Sequence, residues 1–147
     1  LTTLICSDDF DFTTTHISIN KGLDILSASG NLLTPSIGDL ITVNQKDGLV
    51  FSASNGSFMI VSVQQKLTSW SSARTWCARY GTDWYMPTLN ELKMINSHTS
   101  TLNCNLGLHW SSQESSTSNA YALDLGSGGS YSKSKDNNFY VRAVLAF

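Results

Sequence analysis

The sequence predicts an α+β domain, and three observations carry that prediction. Short runs rich in β-formers fill both ends of the chain. Two amphipathic helical patterns sit side by side in the middle. Turn residues separate the runs. The length of 147 residues is that of one domain with room for a core. Mean hydropathy of −0.09 with 41% hydrophobic residues fits neither a disordered tail nor a membrane protein. No apolar run approaches the ~18 residues of a membrane-spanning helix. The chain opens abruptly at Leu1 without a secretory leader pattern, as an excised domain or a processed product would. A net charge of −2 with mixed signs argues against a nucleic-acid groove or a polybasic membrane patch. Only 14% of residues are charged, against about 25% in ordinary soluble domains. Ser and Thr fill the difference, at about a quarter of the chain. That surface chemistry points to an exported β-rich domain.

Residues 1–37 read as a lead-in, either packed on the domain or used in assembly, and 38–147 as the domain itself. Asp8, Asp9 and Asp11 lack the Gly and distal Glu of an EF-hand loop, so they read as a solvated end. His16–Ile19 alternates like a strand, and Asn20-Lys21-Gly22 like a turn. Asp39–Val43, Leu49–Ser52 and Phe58–Val63 follow as short strands. Lys46-Asp47-Gly48 and Ser54-Asn55-Gly56-Ser57 supply hairpin signals between them, because Asp-Gly and Asn-Gly tolerate positive φ. A helix then starts at Ser69 and closes at Gly81, with Ala73, Trp76, Cys77 and Tyr80 on one face. Asp83–Met86 is a short, buried aromatic segment. Thr88 and Glu91 form a capping box for a second helix that buries Leu89, Leu92 and Ile95 and fades near Asn96-Ser97. His109–Ser112 and Ala120–Leu125 are strands, Gly126–Ser130 is a flexible turn, and Phe139–Phe147 is one closing strand.

Cys6, Cys77 and Cys104 form no C-x-x-C motif and have no His at zinc spacing. An odd count in an exported protein suggests one bridge and one leftover thiol. Cys77–Cys104 is the preferred pair; a bridge from Cys6 to either, or three buried free thiols, stays open. Nucleophile-elbow, phosphate-loop and dinucleotide motifs are absent. His16, His98 and His109 lie far apart in sequence. The reading is therefore a protein that is not an enzyme, with no metal and no cofactor.

Three blocks then stand in a particular order. Asp83-Trp84-Tyr85-Met86-Pro87-Thr88-Leu89-Asn90-Glu91-Leu92 comes first, behind Ser71–Cys77. His109-Trp110-Ser111-Ser112-Gln113-Glu114 follows, and Tyr140-Val141-Arg142-Ala143-Val144-Leu145-Ala146-Phe147 ends the chain. This order resembles the Lcl C-terminal domain family, also called DUF1566, over about residues 38–147. Met86, His109, Gln113 and Leu145 depart from its usual Leu, Tyr, Ser/Thr and Arg. The resemblance implies a C-type-lectin-like fold, two helices packed on small twisted antiparallel sheets. Trp84, Met86, Leu89 and Leu92 would then fill the core beside the second helix, and Trp110 would pack on the central strands. Arg142 would be exposed, or a half-buried partner of Glu91 or Glu114.

The resemblance also implies a recognition domain at the tip of a bacterial surface adhesin, of intimin/invasin or collagen-like type. Such a domain is extracellular, the distal part of a larger protein. Its partner would be a host-surface glycan or protein receptor, with no nucleic acid and no membrane insertion. The alternative is a structural cap or trimerisation module of a surface or phage tail fibre, and hence a homotrimer. The Glu-Pro-Asn or Gln-Pro-Asp and Trp-Asn-Asp motifs of calcium-dependent lectins are absent, so no calcium is expected. Nor do Cys77 and Cys104 sit in the motif of formylglycine-generating enzymes. The candidate ligand-binding residues lie in the stretch between Trp110 and Arg142: Gln113, Glu114, Asn119, Tyr121, Asp124, Tyr131, Lys133, Lys135, Asn137 and Asn138. Tyr, Ser, Gly and Asn together offer rigid aromatic area with adaptable hydrogen bonding.

Overall fold

A computed structural model describes residues 35–54, 57–102 and 105–147, together with the backbone of 16–19. They form ten strands and three helices in two five-stranded sheets, an α+β arrangement. The first sheet has the order β1-β2-β3-β4-β10, with β1 His16–Ile19, β2 Leu40–Val43, β3 Lys46–Ser54, β4 Ser57–Ser62 and β10 Val144–Ala146. The second has the order β5-β9-β6-β7-β8, with β5 Lys66–Thr68, β9 Phe139–Val141, β6 Leu108–Glu114, β7 Asn119–Asp124 and β8 Ser130–Ser134. Both sheets are mixed rather than purely antiparallel, because β1 runs parallel to β2 and β6 parallel to β9. The helices are α1 Trp70–Tyr80, α2 Leu89–Asn96 and the single turn α3 Thr99–Leu102.

The first sheet is buried on both faces. Ile41, Val43, Val50 and Ile60 pack on one side with the α1 residues Trp70, Ala73, Cys77 and Tyr80. Leu40, Leu49, Phe51 and Val61 pack on the other with Leu92, Ile95 and Leu102 of α2 and α3. Successive strand side chains point to opposite faces, so a doubly covered strand must be apolar throughout. That is why these short strands read as continuous apolar runs.

The hairpin between β2 and β3 turns earlier than the Asp-Gly signal suggests. Val43 pairs with Lys46, leaving Asn44 and Gln45 as a two-residue turn with φ of 49° and 68°. Lys46, Asp47 and Gly48 belong to β3. The Asp47 carboxylate accepts from the Thr42 hydroxyl across the hairpin at 2.5 Å. A Cβ at Gly48 would stand 3.0 Å from the Trp84 ring, so this glycine makes room for an indole. Gln45 bears the strain of a left-handed backbone. Gln45→Gly is therefore expected to stabilise the fold by about 0.5–1 kcal/mol, read as a higher urea midpoint at unchanged slope. For the second hairpin signal, Ser54 pairs with Ser57, while Asn55 and Gly56 lie outside the described residues.

The capping box of α2 is complete: Thr88 Oγ1 accepts from the Glu91 amide at 3.2 Å, and Glu91 Oε1 accepts from the Thr88 amide at 2.9 Å. In α1, Ser69 holds the cap position without a side-chain bond, and Gly81 is extended rather than left-handed. The glycine at 81 answers a packing demand, since a Cβ there would meet the Trp84 ring at 2.7 Å. The expected single closing strand is two strands in different sheets, β9 and β10, parted by Arg142 and Ala143. Ser130 starts β8 rather than ending a turn, and β5 and α3 are elements that periodicity alone does not disclose. Cys77 is a buried free thiol, its pKa pushed up to about 12 by burial, so no Cys77–Cys104 bridge is seen. Cys104 itself lies outside the described residues.

Candidate functional site: a groove beside the first helix

Helix α1 has two faces of different chemistry. Trp70, Ala73, Cys77 and Tyr80 point into the core. Ser72, Thr75, Trp76 and Arg79 recur at i, i+3, i+4 and i+7 and form the neighbouring stripe. Alongside runs β5, an edge strand whose Lys66 and Thr68 share one face. With Ser71, these residues line an open groove of about 370 Å³. Two cations, four hydroxyls and one indole face it, and no carboxylate does. The Trp76 ring is half-buried and braced by Tyr80 at 5.4 Å between centroids. Leu67, on the opposite face of β5, is 54% exposed.

Two buried tryptophans outside the lining fasten the elements that form the groove. Trp110 Nε1 of β6 donates to the Thr68 carbonyl at 3.0 Å. Trp70 Nε1 of α1 donates to the Ser111 carbonyl at 2.8 Å. Tyr80 Oη donates to the Asp47 carbonyl at 2.8 Å and ties the far end of α1 to the first sheet.

The residues singled out from sequence fall into two sets. In the first, the side chains are engaged within the fold. Gln113 Oε1 accepts from the Leu89 amide at 3.1 Å, at the start of α2. Lys135 forms an ion pair with Glu114 at 2.5 Å, donates to the Thr117 carbonyl, and lies 4.5 Å from the Trp70 ring centroid. That bond holds the Glu114 carboxyl below its ordinary range. Asp124 accepts from the Gly126 amide and the Ser127 hydroxyl, which lowers its pKa and shapes the turn after β7. Asn119 is half-buried and engaged through its backbone instead: its main-chain carbonyl accepts from the amides of Ser115 and Ser116, closing the loop before β7.

In the second set, Tyr131 is 47% exposed on edge strand β8, with Lys133 Nζ 5.6 Å from its ring centroid. Tyr121 is half-buried, and Asn137 and Asn138 are exposed in the turn before β9. Members of both sets share the β7–β8 pair, where Ala120 faces Lys133 and Ala122 faces Tyr131 in register. The groove does not stand out in the sequence because Trp76 reads as one more core position. The signal that distinguishes it is the hydroxyl and Arg content of the 72/75/76/79 stripe.

Arg142 is neither exposed nor paired with Glu91 or Glu114. It is 2% exposed between the sheets, and its Nε donates to the Ser62 carbonyl at 2.7 Å. Among the described residues, no three His, Cys, Asp or Glu side chains gather to hold a metal ion, and no helix is long and apolar enough to cross a membrane.

With this geometry in place, the class is a mixed α+β domain with a polar, aromatic groove at the edge of its second sheet. The sequence matches the Lcl C-terminal domain family over residues 41–145, and the chain belongs to that family. No curated protein matches the sequence.

Proposed function

We propose that this chain is a non-enzymatic recognition domain at the tip of a bacterial surface adhesin, displayed outside the cell. Its ligand is an acidic glycan, held in the α1–β5 groove without calcium. The observation that carries this reading is the groove's lining. The Trp76 ring can stack on the C–H face of a sugar, the hydroxyls of Thr68, Ser71, Ser72 and Thr75 suit its polar edges, and Lys66 and Arg79 suit a carboxylate or sulfate. A C-type-lectin-like fold is part of this proposal, and the pair of helices flanking two small sheets supports it.

The test is titration of the protein with heparin and with neutral dextran, each with and without chelator. Heparin is expected to bind, dextran to bind weakly, and the chelator to change neither. Lys66→Ala with Arg79→Ala should weaken heparin about tenfold or more and flatten its salt dependence. Tyr131→Ala with Lys133→Ala should leave it unchanged. Loss of binding in the β8 pair instead would move the site to the hairpin. Loss on adding chelator would overturn the calcium-free reading.

A further inference from the structure

β8 is the outer strand of the second sheet, paired with β7 alone, at the opposite edge from β5 and the groove. All five of its residues, Ser130–Ser134, pair with β7 in one unbroken register. The bonds flanking that register fix which way its backbone points. The Asp124 amide donates to the Gly129 carbonyl at 2.8 Å, and the Lys135 amide to the Ser118 carbonyl at 2.9 Å. Antiparallel strands exchange bonds at every second residue pair. Tyr131 and Lys133 therefore turn their amides and carbonyls toward Ala122 and Ala120 of β7. Ser130, Ser132 and Ser134 turn theirs outward, away from the sheet. The Asn137 amide takes the Ser134 carbonyl at 3.1 Å. The other outward groups form an open row of donors and acceptors among the described residues.

Edge strands ordinarily carry a device that blocks such a row: a proline, a bulge or an outward lysine. β8 has no proline and no bulge. Its one lysine is half-buried and drawn in, with Nζ 5.6 Å from the Tyr131 ring centroid. The strand Ser-Tyr-Ser-Lys-Ser is also complementary to itself when laid antiparallel about Ser132. In that register Ser132 meets Ser132, Ser130 meets Ser134, and Tyr131 meets Lys133. The serine pairs set outward backbone against outward backbone. The Tyr–Lys pairs are then the non-hydrogen-bonded ones, where side chains stand closest. Each ammonium there faces a phenol ring of the other copy. Of the antiparallel registers that match outward groups, this one overlaps the whole strand, and it sets no lysine opposite a lysine.

We propose that two copies of this chain join edge to edge through β8, in an antiparallel pair centred on Ser132 that continues the second sheet from one copy into the other. The Ser132 amide of each copy donates to the Ser132 carbonyl of the other, and each Ser134 amide donates to the other copy's Ser130 carbonyl. The same patch serves both copies, so the assembly is two-fold and closes at the dimer. A five-residue joint is small, so the dimer is a weak one that forms where copies are concentrated. The groove lies at the far edge of the sheet, stays open in the dimer, and takes no part in the joint.

The test is sedimentation equilibrium of the chain from about 10 μM to about 1 mM. The mean mass is expected to climb from monomer toward dimer over that range. Ser132→Pro removes the central amide and costs no bond to β7, because that amide points outward. This variant should keep the wild-type circular dichroism and stay monomeric at the highest concentration. Tyr131→Lys sets lysine opposite lysine and should weaken association about tenfold or more. In the wild type, hydrogen exchange at the Ser132 amide should slow as the protein is concentrated. A monomer at every concentration, a trimer, or a dimer that both variants leave intact would overturn the proposal. Should Ser132→Pro fail to fold, Tyr131→Lys and the exchange measurement decide.

Discussion

Trp110→Ala is expected to cost about 3–5 kcal/mol, most of the margin of a domain this size. The indole is completely buried and contacts Phe139 with ring centroids 4.8 Å apart. Its removal leaves a void where the second sheet faces α1 and the first sheet. It also strands the Thr68 carbonyl, which loses its donor. Trp110→Phe separates the two effects. A phenyl ring refills most of the volume and restores no hydrogen bond, so a loss of about 1–2 kcal/mol is expected. Urea midpoints for the three proteins check this. A loss under 1 kcal/mol for Trp110→Ala would mean that the surrounding side chains collapse into the void and that the Thr68 carbonyl finds another donor. Because Thr68 is also a groove residue, Trp110→Phe should weaken heparin binding more than its small stability loss suggests.

The two tryptophan bonds explain how the groove is built. β5 has three residues and α1 begins two residues later. Neither element could hold its place by local bonding alone. Trp110 reaches out from β6 to Thr68, and Trp70 reaches back from α1 to Ser111, so the β5–α1 corner is fastened at two points. The Arg74 guanidinium and the Lys135 ammonium both lie over the Trp70 ring, at 5.4 and 4.5 Å. Lys135 in turn holds Glu114, the last residue of β6. The His109–Glu114 block therefore fastens the groove through Trp110 and the Ser111 carbonyl, while Ser71–Cys77, ahead of the first block, supplies much of its lining.

What the sequence disclosed follows from which forces are local. The α2 capping box was legible because every partner lies within four residues. The buried stripe of α1 is legible because burial on one face imposes a period, and β2, β3 and β4 because burial on both faces makes them continuous apolar runs. The β2–β3 turn was misplaced because Asp47-Gly48 is a local turn signal overridden by a distant demand, the Trp84 ring over Gly48. The closing segment reads as one strand because an alternating pattern does not show a change of sheet at Arg142. Gln113, Glu114 and Lys135 read as ligand residues because they are polar and lie in the Ser-, Asn- and Tyr-rich stretch toward the third block. Their partners at positions 89, 135 and 117 appear only once the chain is folded. The groove stripe of α1 was hidden by Trp76, which composition assigns to the core and geometry places at its border.

Acid should destabilise the domain through His109 before the carboxylates matter. The ring is 1% exposed, its Nδ1 lies 2.9 Å from the Gly107 carbonyl, and its Nε2 is buried without a donor. It lies tilted against the Tyr140 ring, centroids 5.5 Å apart, and the two residues pair in register between β6 and β9. Burial foremost, and then the charge of Arg142, lower its pKa to about 4; the Gly107 carbonyl and Asp124 oppose that shift. The unfolded chain titrates this group near 6.5 and so binds more protons than the fold between pH 6.5 and 4. Stability is therefore full above pH 6.5, falls as pH drops below it, and levels off near pH 4 after a loss of about 3 kcal/mol. Glu114 and Asp124 have depressed pKa values, so their contributions fade only below about pH 4.5, and both are surface groups with small effects. The interval from 6.5 to 4.5 thus isolates the buried ring. Urea midpoints at pH 7, 5.5 and 4.5 should decline in the wild type and stay nearly level in His109→Phe, whose ring can still stack on Tyr140 and has no orphan nitrogen. An equal decline in both proteins would place the acid sensitivity elsewhere. A level profile in both would mean that the ring accepts its proton without leaving the core, which the neighbouring unpaired guanidinium makes costly.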